Sequence, residues 1–258
     1  MNSELLSENE ILKGLDGNVR LFFYDTVSST NDEARALGEG GEDMSVIIAR
    51  EQTKGRGTHG RSFFSEKDEG LFLSFLFKPL ELTESDIRLV TPAAAIVTAR
   101  AIRELTGAKV KIKWINDIVY RDKKLCGILC ESGGIKSGRP EFIVVGIGIN
   151  ISVSRFPEEI RDTAASLKNI SEKEFDVNTL CTKIANGLYK CFTGFNGSEV
   201  ISEYKALSAT LNRKIGFTYE KERLEGCAAD IDDSGNLIVS SNGRIYRLFS
   251  SEANIKLI

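Results

Sequence analysis

The sequence predicts an α+β fold in two parts, residues 1–208 followed by a small closed β-barrel at 209–258. Three observations lead there. Apolar β-type runs at 44–52 and 70–78 flank a loop of glycines and cations. Apolar residues recur at helical spacing between 157 and 207. After Leu211-Asn212, short evenly spaced strands alternate with Asp232-Asp233-Ser234-Gly235-Asn236 and Asn242-Gly243 turns, a pattern that suggests a small barrel.

Bulk properties narrow the class. A 258-residue chain with 41% hydrophobic residues can bury a real core. A net charge of −3 and a pI near 5.5 argue against an extended nucleic-acid surface. Five cysteines without C-x-x-C spacing and one histidine leave little material for a metal site, so none is expected. Cys126 and Cys130 lie in a predicted strand, roughly 13 Å apart when extended, too far for a disulfide. The N-terminus shows no basic-then-apolar signal and the chain holds no run of 18 apolar residues, so a cytoplasmic protein without a membrane partner is expected.

Taken in order, residues 1–20 read as polar, ending in a turn at Leu15-Asp16-Gly17-Asn18 before the strand Leu21-Phe22-Phe23-Tyr24. Ser28-Ser29-Thr30-Asn31-Asp32-Glu33 opens a helix, and Thr30 with Glu33 has capping-box spacing, which leaves Ser29 and Asn31 unexplained. The runs at 44–52 and 70–78 form a hairpin around the basic loop. Thr91-Pro92 starts a helix that Gly107 stops. In Val110-Lys111-Ile112-Lys113-Trp114 the period of two puts Val110, Ile112 and Trp114 on a core face and both lysines opposite, either in a site or simply solvated. A second hairpin carries Lys124 at its bend, and 141–150 is a central strand whose glycines permit close approach. The segment 157–207 reads as helical, with Leu180, Ile184, Leu188 and Phe192 on its core face.

The loop between the first two apolar strands concentrates the chemistry. Residues 50–65 hold three glycines, four cations and the histidine. Bare amides beside guanidinium and ammonium groups suit a phosphate or carboxylate. Gly55, Gly57 and Gly60 spell G-x-G-x-x-G, but β-type sequence follows where a dinucleotide fold needs a helix. No Walker loop, H-R-D or D-F-G accompanies it. By itself the stretch fits a solvated basic hairpin loop equally well.

Five ordered stretches together resemble the biotin protein ligase family. Its signatures are S-T-N, G-R-G-R-x-G-R after R-E-Q-T, K-W-P-N-D, K-L-x-G-I-L-x-E and G-I-G-x-N. Here they stand as Ser29-Thr30-Asn31, Gln52-Thr53 with Gly55-Arg56-Gly57-Thr58-His59-Gly60-Arg61, Lys113-Trp114-Ile115-Asn116-Asp117, Lys124-Leu125-Cys126-Gly127-Ile128-Leu129-Cys130-Glu131, and Gly146-Ile147-Gly148-Ile149-Asn150. The resemblance implies a mixed sheet with helices similar to the core of class II aminoacyl-tRNA synthetases, then the small barrel, in the form without an N-terminal DNA-binding domain.

It also implies a reaction. ATP would activate biotin to biotinyl-5′-AMP, and the biotin would pass to a lysine of a biotin carboxyl carrier protein. Magnesium would come with the nucleotide. DNA is not an expected partner, and a homodimer is left open. Arg56, Arg61 and Lys113 resemble the family's catalytic cations, which offset the repulsion between carboxylate and phosphate. Ser29, Thr30, Asn31, Gln52, Arg56, Gly57, Thr58, Lys124 (through its backbone region) and Gly127 would surround biotin. Arg56, Arg61, Phe63, Lys113, Asn116 and Asn150 would contact ATP. Thr58 stands where the family has a third arginine, which implies weaker retention of the adenylate; Ile115 replaces the usual proline; His59 falls at a variable position and receives no role. Lipoate ligation or octanoyl transfer on the same fold, and a biotin sensor without ligase output, are the rival readings.

Overall fold

The structure, a computed structural model, describes residues 5–220, 222–249 and 255–258, and of His59 only the backbone. It opens with helix α1 (Glu8–Gly14), where the sequence reads as merely polar and turn-like. Seven residues cannot sustain a helix alone. This one is clamped: Ser7 N donates to Asn178 Oδ1 at 2.8 Å, Asp16 N donates to Asn186 Oδ1 at 2.8 Å, and Leu6 and Ile11 are buried.

Strand β1 (Arg20–Val27) is joined through helix α2 (Thr30–Glu39) to a parallel neighbour, β2 (Ser45–Gln52). The expected capping box at α2 does not form. Ser29 is the N-cap and its side chain caps nothing, while Thr30 Oγ1 donates to Gln52 Oε1 at 3.1 Å. A tertiary partner has taken the hydroxyl that local spacing assigned to the helix end.

The predicted hairpin is present, β2 pairing antiparallel with β3 (Gly70–Phe77). A short helix α3 (Glu84–Arg88), capped by Thr83 and Asp86, leads into α4 (Val90–Thr106). Gly107 ends α4 with φ +76°, a left-handed cap that glycine adopts without a Cβ penalty. Strands β4 (Lys111–Lys113), β5 (Asp117–Tyr120), β6 (Lys123–Lys136) and β7 (Arg139–Asn150) complete a mixed sheet in the order β1-β2-β3-β7-β6-β5-β4. β7 is therefore the middle strand, as predicted.

Residues 157–176 are turns and a single 3-10 turn rather than helix. Their backbone is spent on the sheet: Lys124 N donates to Thr163 O at 2.7 Å and Ala165 N to Lys124 O at 2.9 Å. Helicity begins at α5 (Val177–Thr193), capped by Asp176, and resumes in α6 (Gly197–Ala206). Leu180, Ile184, Leu188 and Phe192 are all buried along α5, and Phe192 stacks on Phe77 of β3 at 4.2 Å.

Alternation along the strands gives the sheet two different faces. Val46 and Ile48, Leu71, Leu73, Phe75 and Phe77, and Ile143, Val145, Ile147 and Ile149 belong to the main core. Ile47, Leu76, Phe142 and Val144 face the other way and form a smaller core with Ala34 of α2. Further along that second face, Phe72 and Ser74 of β3 and Gly146 and Gly148 of β7 take the alternate positions, next to the N-terminus of α2.

The remaining strands, β8 (Lys214–Tyr219), β9 (Glu222–Ile231), β10 (Leu237–Ser241), β11 (Arg244–Leu248) and β12 (Ile255–Leu257), make an antiparallel sheet in the order β11-β10-β9-β8-β12. It curls enough to bring Tyr246 of β11 within 5.4 Å of Phe217 of β8. The expected closure is not seen: among the described residues the edge strands β11 and β12 do not pair.

Candidate functional site

The cleft on the second face exists because side chains are missing from it. β6 and β7 pair Gly127 with Gly148 and Leu129 with Gly146. A Cβ at Gly146 would lie 2.1 Å from Asn31 Oδ1, and one at Gly148 would lie 2.6 Å from Phe63 Cε1. At Gly127 it would meet Lys124 Nζ at 3.0 Å and Phe63 Cε2 at 3.3 Å. These three positions are a floor on which Asn31, Phe63 and Lys124 rest directly. The cleft takes in about 450 Å³ with its open mouth included.

One wall is the start of α2. Thr30 N donates to Gln52 Oε1 at 2.8 Å, and Gln52 Nε2 donates to Ser65 Oγ at 3.1 Å. Ser74, the single polar side chain of β3, donates to Asn31 Oδ1 at 2.6 Å and lies 2.8 Å from Thr30 Oγ1. Asn31 Nδ2 donates to Glu131 Oε2 at 2.8 Å and to Leu129 O at 3.3 Å. Asn31 and Thr30 are thus held rigidly by the protein itself. Ser29 differs: it is 2% exposed, lines the cleft, and its hydroxyl has no hydrogen bond to the described residues.

The glycine loop forms the lid. Its neck is closed: Thr53 N donates to Val27 O at 2.9 Å, Lys54 N to Ser28 O at 2.8 Å, and Phe63 N to Gly55 O at 2.9 Å. Within it Gly57 N donates to Arg61 O at 2.7 Å, and a 3-10 turn at Thr58–Gly60 runs into extended chain, so no helix starts at the third glycine. Arg56 forms ion pairs with Asp32 and Glu131. Arg61 donates from Nη2 to Thr58 Oγ1 at 3.1 Å and from Nε to Thr58 O at 3.2 Å.

The opposite wall comes from β4 to β6. Asn116 is fastened to β6 by Asn116 Nδ2 to Ile128 O at 2.7 Å and Ile128 N to Asn116 O at 3.0 Å. One residue earlier in the chain, the Trp114–Ile115 peptide bond is cis. Lys124 Nζ pairs with Asp117 Oδ1 at 2.6 Å and sits 5.9 Å from the Phe63 ring centre. The backbone N–H and C=O of Lys124, expected to serve the cleft, are both engaged by residues 163–165, which leaves its side chain to do so. Burial pushes the Lys113 ammonium below the usual lysine range; Asp117 opposes this, and Lys124 and Arg61 add to it.

Of the residues singled out from sequence, Ser29, Thr30, Asn31, Gln52, Arg56, Gly57, Thr58, Phe63, Asn116, Lys124 and Gly127 line one cleft. Arg61 and Lys113 stand beside it, close enough to interact electrostatically. Asn150 lies off the lining, 5% exposed, its Nδ2 donating to Ala165 O at 3.2 Å. Ser74, Asp32 and Glu131 received no role from sequence. The lone hydroxyl in the apolar run of β3 is a signal that could have found Ser74.

A glycine-floored cleft with a basic lid on a mixed sheet defines a class, and a family profile names it: the Biotin/lipoate A/B protein ligase family matches residues 23–150. The chain is 30% identical over 264 aligned positions to the bifunctional ligase/repressor BirA of Bacillus subtilis, covering 97% of this chain and 79% of that protein. It is 28% identical to the biotin–[acetyl-CoA-carboxylase] ligase of Mycobacterium tuberculosis, over 84% and 81% of the two chains. The biotin protein ligase of Aquifex aeolicus in complex with biotin and ATP superposes with a TM-score of 0.80 at 24% identity, covering 93% of this chain and 99% of that one. This chain belongs to the biotin protein ligase family. Among its described residues no helix is long and apolar enough to cross a membrane.

Proposed function

We propose that this chain is an ATP-dependent ligase that activates biotin and transfers it to a lysine of a biotin carboxyl carrier protein. Residues 1–208 would carry the catalysis and 209–258 would form an accessory domain. The observation that carries the reading is the pairing, in one cleft, of a Ser29 hydroxyl that has no hydrogen bond to the described residues with a cluster of cations. The first suits a polar head group on an otherwise apolar ligand. The second suits two anions that must be brought together.

In the first step an oxygen of biotin's carboxylate attacks the α-phosphorus of ATP, and the bond to the departing pyrophosphate breaks. Arg56, once drawn from Asp32 and Glu131 by a carboxylate, neutralises that carboxylate; Lys113 and Arg61 face the phosphates and the charge that grows on them. Phe63 covers the adenylate, with Asn116 and Asn150 on the nucleotide side. Magnesium would come with the nucleotide and offset phosphate charge there. In the second step a neutral lysine amine of the carrier attacks the acyl carbon, AMP leaves, and the amine's proton is lost to solvent. Lipoate, which has no ureido ring, would leave the Ser29 hydroxyl without a partner, and a site built to hydrogen-bond a polar group rejects an analogue lacking it by roughly 10⁴ or more.

The test is pyrophosphate release from ATP and magnesium with biotin or lipoate, followed by transfer of labelled biotin to a carrier domain. Biotin-dependent release and labelling of one carrier lysine are expected. Release with lipoate alone, or no release with either acid, would overturn the proposal.

A further inference from the structure

Lys113 sits at the end of β4, a three-residue strand on the edge of the sheet whose only strand neighbour among the described residues is β5. So short an edge strand holds nothing in place by its own pairing. Its rigidity comes from the other side. Ile112 N donates to Leu207 O at 2.8 Å and Ala209 N donates to Ile112 O at 2.7 Å. Trp114 N donates to Thr210 Oγ1 at 2.9 Å, Trp114 Nε1 donates to Gly235 O at 2.9 Å, and Tyr204 Oη donates to Ile115 O at 2.8 Å. Tyr204 and Thr210 are fully buried and Trp114 is 5% exposed, so water cannot replace these partners.

The indole's partner belongs to the small sheet. Gly235 lies in the turn between β9 and β10, which Asp232 shapes by accepting from Ser234 N and Asn236 N, both at 2.9 Å. That turn aims a carbonyl at the indole. Trp114 is the first residue after β4, so anchoring its backbone N–H and its indole fixes the chain at the peptide next to Lys113 and with it the direction in which Lys113 leaves the backbone.

We infer that Thr210, Tyr204 and the 232–236 turn are positioning elements for Lys113, acting through Trp114 and Ile115 rather than on any substrate. This rests on the reading of Lys113 as a phosphate-facing cation. It makes the small sheet a structural partner in adenylate formation, and it predicts damage confined to the nucleotide side of the cleft. The biotin side is held separately, by Gln52, Ser74 and Glu131.

The experiment compares Thr210→Val and Thr210→Ser with the parent chain. Thr210→Val keeps the shape and strands the buried Trp114 N–H; Thr210→Ser restores the acceptor. Expected for Thr210→Val are a kcat for adenylate formation lowered roughly tenfold to a hundredfold, as misplacement of a catalytic group by about 1 Å would give, and biotin affinity without ATP kept within about twofold. The Trp114 amide should exchange faster, and emission from this single tryptophan should shift. Thr210→Ser should recover all of these. Should Thr210→Val not fold, Tyr204→Phe makes the same test at Ile115 by removing one hydroxyl. Unchanged exchange and emission, or a kcat loss that merely tracks lost biotin affinity, would overturn the inference. If the parent chain forms no biotinyl adenylate the functional reading fails instead, and exchange and emission at Trp114 still decide whether Thr210 anchors it.

Discussion

Gly146→Ala probes the floor of the cleft with one methyl group. The added Cβ would lie 2.1 Å from Asn31 Oδ1, 2.8 Å from its Cγ and 2.9 Å from its Nδ2, all far inside contact distance. Asn31 cannot step aside cheaply: Ser74 holds its oxygen, Glu131 and Leu129 hold its nitrogen, and its backbone is in the first turn of α2. Nor can β7, the middle strand of the larger sheet, retreat. Rotating the amide away breaks these bonds at about 1–3 kcal/mol for each buried group left unpaired, and relaxation of an overpacked core typically limits the total to about 1–3 kcal/mol. Taking about 2 kcal/mol, the melting temperature should fall by roughly 4–8 °C. If the same distortion is felt in the ligand complex, biotin affinity should fall by roughly 30-fold. Calorimetric titration and thermal denaturation measure the two. A variant within about 1 °C of the parent and within about twofold of its biotin affinity would refute the account of the glycine floor.

Lys113→Met should lower adenylate formation by roughly 10²–10³ while leaving biotin binding intact, as read by pyrophosphate release and titration. Because burial holds the folded ammonium below the usual 10.5, the unfolded chain binds that proton more tightly. A charged Lys113 therefore costs stability at neutral pH, and the cost fades as pH rises towards the unfolded value. Lys113→Met should accordingly be the more stable chain at neutral pH, with an advantage in denaturant midpoint that shrinks as pH climbs. Thr58→Arg, which supplies the family's third loop arginine, should reduce the biotinyl adenylate released to solvent, measured by trapping it on bystander lysines; equal release from both chains would refute the retention argument. Burial pushes the thiols of Cys130 and Cys181 up to about 12 and that of Cys191 to about 11, with Cys126 raised as well, whereas Cys227 is exposed. Iodoacetamide near neutral pH should therefore alkylate Cys227 first and leave ligase activity unchanged, as peptide mass mapping and turnover would show.

What could be read from sequence was what is periodic or contiguous. Alternation in residues 110–114 correctly placed Val110, Ile112 and Trp114 inside, and a glycine after a helical run correctly ended α4 at Gly107. The residues expected at the site came from short contiguous motifs, and most of them share the cleft. Features that depend on distant partners were not legible. Thr30 looks like half of a capping box until Gln52 and Ser74 are brought against it. Arg56 looks free for a ligand, yet it is held by Asp32 and by Glu131, 75 residues away. Residues 157–176 carry helix-compatible sequence, but Lys124 and Asn150 claim their backbone. The even spacing of the final strands signalled a sheet; closure depends on edges that spacing does not specify.

The bonds that tie Thr53 to Val27, Lys54 to Ser28 and Phe63 to Gly55 have a consequence for how this protein can change. They separate the tip of the loop from the scaffold beneath it, so the tip's length hardly registers below: doubling it adds only about 0.6 kcal/mol of closure entropy. Changes of length or sequence at the tip positions Thr58 to Gly60 are therefore light on the fold, while Arg56 and Arg61 stay fixed by their proposed roles, so the tip is a module tuned by chemistry rather than by stability. The architecture that carries the module can stay as it is.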